Sequence, residues 1–181
     1  DLQNKIKNDE DVTSYCTTRV TNMADFFNKK ASFNQDISSW DLTNVTTLGN
    51  MFRVATSFNQ DISKWNTANV TEMGNMFLRA SSFSGDISDW DVSNVKYFDN
   101  MFQEANSFNA PIGKWTTTSL IETYQMFFKN TSFNQSLSNW NVSKVGVMAS
   151  MFEKATAFNG DLSGWNTENV SDMTALFLDA E

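Results

Sequence analysis

The chain has 181 residues, 40% of them hydrophobic and 14% aromatic, which is enough to bury a core and too apolar for an intrinsically disordered segment. Against 13 basic residues stand 21 acidic ones, a net charge of −8 with no Lys/Arg run, so a nucleic-acid partner is disfavoured. Histidine is absent and Cys16 is the single cysteine, which removes the usual zinc ligand sets, the Ser–His and Cys–His dyads and any internal disulfide.

Residues 1–14 share little with the remainder and read as an N-terminal cap. Tyr15, Val20 and Met23 align with Trp40, Val45 and Leu48, so a partial unit precedes the first full one. Met51-Phe52, Met76-Phe77, Met101-Phe102, Met126-Phe127 and Met151-Phe152 then recur every 25 residues, with Phe26-Phe27 and Leu176-Phe177 extending the series. The domain organisation expected is 1–25 as cap plus partial repeat and 26–175 as six repeats without insertion or deletion. Residues 176–181 are the start of a seventh repeat or a C-terminal cap. No apolar stretch approaches the roughly 20 residues needed to cross a bilayer.

Within the second full unit, Val70, Met73, Met76, Phe77 and Ala80 fall on one face at about 100° per residue, the signature of an amphipathic helix. Asn69-Val70-Thr71-Glu72 and Asn169-Val170-Ser171-Asp172 resemble capping boxes at its start. Residues 58–65 are too short and too poor in helix formers for a second helix, and are read as a short extended strand. The expected fold is therefore an α/β solenoid, a right-handed coil with one short strand and one helix per unit and a parallel sheet on one face. The recurring tryptophans Trp40 to Trp165, with Phe33, Ile37, Val45 and their equivalents, are its expected core. A lone unit cannot fold, because burying its large side chains at about 1.5–3 kcal/mol each does not offset ordering 25 residues at about 1–2 kcal/mol apiece.

The string Met-Phe-x-x-Ala-x-Ser-Phe-Asn-Gln-Asp-Ile-Ser-x-Trp-Asn-x-x-Asn-Val-Thr-x-Met at 51–73 resembles the BspA-like surface-protein repeat family, a divergent branch of the leucine-rich repeats. The resemblance implies a leucine-rich-repeat-like fold exposed at a cell surface, an extracellular setting, and a role in adhesion or recognition with no catalytic motif. The fourth unit departs most from the pattern, with Pro111, Thr116-Thr117-Thr118 and Thr123, so a local irregularity is expected there.

Two files of polar residues are candidate sites. Asp36, Asp61, Asp86 and Asp161 occupy one position of the unit, read either as a calcium ladder or as turn ties through each residue's own backbone. Ser39, Lys64, Asp89, Lys114 and Asn139, each preceding a tryptophan, vary on a constant frame and are the expected contacts of a protein or glycan ligand lying on the sheet face. Leu78 and Phe128 are apolar contact candidates, and the tryptophans are either a glycan platform or core. The sequence thus points to a non-enzymatic interaction module, needing no cofactor unless calcium binds, with self-association through terminal repeats open. An ice-binding array and a structural spacer are the alternatives.

Overall fold

The computed structural model describes residues 1–180. Among the described residues, regular secondary structure is confined to an α-helix, α1 (Leu2–Lys7), and a three-residue 3₁₀ helix, Ile112–Lys114. The Asp1 side chain caps α1 by accepting the Asn4 N–H. Leu2 and Ile6 on its inner face join the core, and Lys5 and Lys7 stand in the last turn, where positive charge suits the helix end.

The α/β solenoid expected from the periodicity does not form. There is no α-helix in the repeating units, no strand and no sheet among the described residues. Each 25-residue unit is instead a coil of successive tight turns stacked on the next through isolated parallel bridges: Asn22 to Thr47, Thr47 to Glu72, Glu72 to Tyr97, and onward to Asp172. Over the stretch read as helical, backbone N–H groups divide their bonds. Those of Leu48, Asn50, Phe52 and Val54 donate to the carbonyls of Glu72, Gly74, Met76 and Leu78 in the following coil at 2.7–3.0 Å. Those of Met51, Arg53 and Ala55 donate three residues back, to Leu48, Asn50 and Phe52. An α-helix would direct all of these donors to its own i−4 carbonyls and leave nothing to tie one coil to the next. A series of turns advances three or four residues between inward side chains, so it reproduces the helical spacing. Val70, Met73, Met76, Phe77, Ala80 and Phe83 are all fully buried without any helix.

So tight a path needs left-handed residues. Asn50 and Val54, Asn75 and Arg79, and Asn100 and Glu104 sit at φ of 54–59°, two per coil, and no glycine takes this conformation. Asn69 and Asn169, expected as helix caps, have another task, which the equivalent Asn44 shares. Asn44, Asn69 and Asn169 donate their side-chain amides to the carbonyls of Thr18, Thr43 and Ser143 in the preceding coil. Residues 58–65 are not a strand either: the Asn59 N–H goes to the Asn34 side chain, and the Trp65 N–H closes a turn on Ile62.

The expected core residues do form the core. Phe27, Phe52, Phe77, Phe102, Phe127 and Phe152 make one column, with ring centroids 5.5–5.7 Å apart and nearly parallel planes. Phe33, Phe58, Phe83, Phe108, Phe133 and Phe158 make a second at 5.9–6.1 Å. The two columns stack on each other inside each coil, as Phe52 does on Phe58 at 3.8 Å. Each tryptophan donates its indole N–H to a carbonyl 28 residues earlier: Trp40 to Val12, Trp65 to Ile37, Trp90 to Ile62, and so on to Trp165 and Leu137.

Alternate coils differ at one buried position. Thr17, Thr67 and Thr117 donate their hydroxyls to the carbonyls of Asp41, Asp91 and Asn141 in the next coil. The intervening coils carry the fully buried apolar residues Leu42, Val92 and Val142 there. In the fourth coil Pro111 introduces the 3₁₀ helix, yet Phe108 stays in column, so the irregularity is confined to one edge.

Candidate functional site

Ser39, Lys64, Asp89, Lys114 and Asn139 are all exposed and follow one another along an edge of the stack, one per coil. That edge is not a sheet face; each residue lies in the turn closed by the following tryptophan, as in Trp65 to Ile62 and Trp90 to Ile87. The Ser39 hydroxyl donates to the Thr13 carbonyl in the coil before it. Lys114 and Asp89 form an ion pair between adjacent coils, and this contact raises the Lys114 ammonium above its usual range. Both partners are well exposed, so the pair sets local charge pattern more than stability. The file ends at Gly164, where an added Cβ would overlap the Ser138 carbonyl.

Beside this file runs a shallow polar concavity of about 470 Å³ lined by Asn59, Asp61, Lys64, Ser84, Asp86 and Asp89. A second, of about 460 Å³, continues it past Asp89, Asp91, Lys114 and Thr116. The long edge they form is open and hydrophilic, suited to recognising a broad surface rather than enclosing a small substrate.

Asp36, Asp61, Asp86 and Asp161 line this edge, and each accepts the backbone N–H of the serine two residues on, at 2.8–2.9 Å. Those N–H bonds, then the serine hydroxyls, hold each carboxyl below its ordinary value. Each aspartate therefore closes a turn through its own backbone. No group of three or more His, Cys, Asp or Glu side chains able to hold a metal ion is present among the described residues. Asp11 makes the same turn with Thr13, and the Val12 carbonyl receives Trp40 as the Ile37 carbonyl receives Trp65. The repeat register thus reaches back into the stretch read as unrelated. The matching signal, Asp11-Val12-x-x-Tyr15 against Asp36-Ile37-x-x-Trp40, is present in the sequence.

The asparagine file is a ladder. Asn34, Asn59, Asn109 and Asn134 accept the N–H of Asn59, Ser84, Asn134 and Asn159 in the following coil, all within 2.9 Å. The tryptophans offer no sugar platform, since Trp40 to Trp140 are buried. Of the two apolar contact candidates, Leu78 is buried; Phe128 is half-buried, with the Lys129 ammonium 5.1 Å from its ring centroid. Cys16 is an exposed free thiol against the Thr18 hydroxyl.

Coils that repeat in sequence, in hydrogen bonding and in aromatic register define a repeat protein, each unit completed by its neighbours. The chain belongs to the family described as "Mycoplasma protein of unknown function, DUF285", whose model matches residues 2–110 and again 85–181. No curated protein and no solved structure matches it. Among the described residues, no helix is long and apolar enough to cross a membrane.

Proposed function

We propose that the chain is a non-enzymatic, extracellular interaction module of the BspA-like surface type. It binds a protein or glycan along the edge bearing Ser39, Lys64, Asp89, Lys114 and Asn139. The observation that carries this reading is chemical variety at one exposed, repeating position on a frame whose tryptophans and asparagines hold the coils together. In this reading 26–175 is the working array and 1–25 closes one end. Residues 176–181 begin a further coil, of which Glu181 lies outside the described residues. No cofactor is needed, because the aspartates along the edge already have backbone partners. An ice-binding role has less support: the outward file Thr21, Thr46, Thr71 continues as Lys96, Ile121 and Gly146, and the Thr46 and Thr71 hydroxyls bond to carbonyls of the coil before.

The test is saturable binding of the labelled chain to a panel of extracellular matrix proteins and glycans, with calcium and again with a chelator. Binding should be saturable and chelator-insensitive. It should weaken at least tenfold, a loss of about 1.4 kcal/mol, in the double variant Lys64→Glu, Lys114→Glu without a fall in melting temperature. Unchanged affinity in that variant would remove the edge from consideration, and no saturable binding at all would favour a structural spacer.

A further inference from the structure

Among the described residues, the exposed large apolar ones are Met173, Phe177 and Leu178 near the C-terminal end, and Ile121 and Tyr124, which interrupt the middle of the array. Ile121 and Tyr124 are 37% and 38% exposed, three residues apart on the outward side of one segment. The coils before them carry Thr71 and Gly74, then Lys96 and Asp99, at the same two places. The frame therefore does not require apolar groups there.

Between them lies Glu122, bridged on one side to Tyr97 and on the other to Val147, both half-buried. Burial, and then the Asp99 carboxylate, raise the pKa of Glu122, and it makes no ion pair among the described residues. One coil on from Ile121, Gly146 carries no side chain and an added Cβ would meet nothing, so the flank of the patch is open.

We propose that the strip formed by Tyr97, Ile121, Tyr124 and Val147 is a docking surface for a partner protein segment that presents a bulky apolar side chain beside a lysine or arginine. The apolar group covers Ile121 and Tyr124, and the cation supplies the counter-charge that the partly buried Glu122 lacks among the described residues. Charge selects the partner. Outward positions along this strip carry Glu72, Asp99, Glu122 and Asp172 against the single cation Lys96, so a basic segment is attracted. A second copy of this chain would set like carboxylates against one another and is disfavoured. Tyrosine suits such a surface because it offers a large contact area with little rotamer entropy to lose. This surface is separate from the polar edge bearing Lys64 and Lys114.

The experiment is to pan a displayed library of linear peptides against the immobilised chain and to measure binding of the synthetic consensus peptide to variants. The double variant Ile121→Thr, Tyr124→Gly installs the residues that the coil two before already carries, and its fold is checked by near-UV circular dichroism and thermal melting. Enriched peptides should pair an aromatic or branched aliphatic residue with Lys or Arg. Their affinity should fall at least tenfold in the double variant and severalfold in Glu122→Gln, and hold in Lys64→Glu, Lys114→Glu. The inference is overturned by a failure to enrich, by a consensus without cations, or by equal affinity for a folded Ile121→Thr, Tyr124→Gly chain. It is equally overturned if sedimentation shows a dimer of this chain that the same double variant abolishes.

Discussion

Val54 is β-branched and held at φ 59°, the backbone region such a residue tolerates least. Its N–H is committed to the Leu78 carbonyl at 2.7 Å, so the coil imposes the conformation whatever the side chain. Val54→Gly should raise unfolding free energy by about 1 kcal/mol, allowing for the greater chain entropy that glycine brings to the unfolded state; a lower urea midpoint would contradict that account of the strain. The companion position shows the same constraint met well, by Asn50, Asn75 and Asn100, asparagine being the non-glycine residue best suited to a left-handed turn. That file of asparagines is present in the sequence and was not read as a turn signal. Recurring in mid-"helix", where it is a poor helix former, it marked a turn; the apolar spacing around it simply gave the louder signal.

At the scale of the coil, the inward residues could be read from the sequence and the backbone joining them could not. A spacing of three and four residues is common to an α-helix and to a run of turns. What separates the two is where the N–H groups go, and half of them here go to residues 24 positions on, as Leu48 to Glu72 and Asn50 to Gly74. Periodicity within one unit carries no information about a bond made only between units. The strand expected at 58–65 is absent for a related reason: the backbone bridges between coils lie at Thr47, Glu72 and Tyr97, while residues 58–65 face neighbours through side chains. The polar edge was legible as a list of varying residues, whereas the outward strip at Ile121 and Tyr124 was hidden because both lie where a helix was expected. The indole bonds give this scale its test. Trp65→Phe removes the indole donor from the Ile37 carbonyl, which keeps the Trp40 N–H, and opens a gap beside Trp90, and should cost about 1–3 kcal/mol. Trp165→Phe, at a half-buried tryptophan, should cost distinctly less. Equal losses in urea titrations would show that the bond and its burial do not govern the difference.

For the molecule as a whole, the turn aspartates act together. Asp11, Asp36, Asp61, Asp86, Asp91, Asp161 and Asp172 all have carboxyls held below the ordinary value of 3.8 by hydrogen bonds from the residue two positions on. A depressed folded-state pKa contributes stability that is present above the unfolded value and lost as pH falls through the folded one. Glu122, raised chiefly by burial, has the opposite sign and gains as it protonates. The aspartates outnumber it, so melting temperature should fall between about pH 5 and pH 2; a flat profile would show that these turns hold without their charge. A different consequence follows from the buried alternation of Thr67 and Thr117 with Val92 and Val142. Excision of one coil from such an array would bring two threonine coils into contact, or two apolar ones, an interface of a kind not otherwise present. Gain or loss of coils two at a time keeps every interface of a kind already present. At this buried position the array repeats every fifty residues, twice the period that its tryptophans announce.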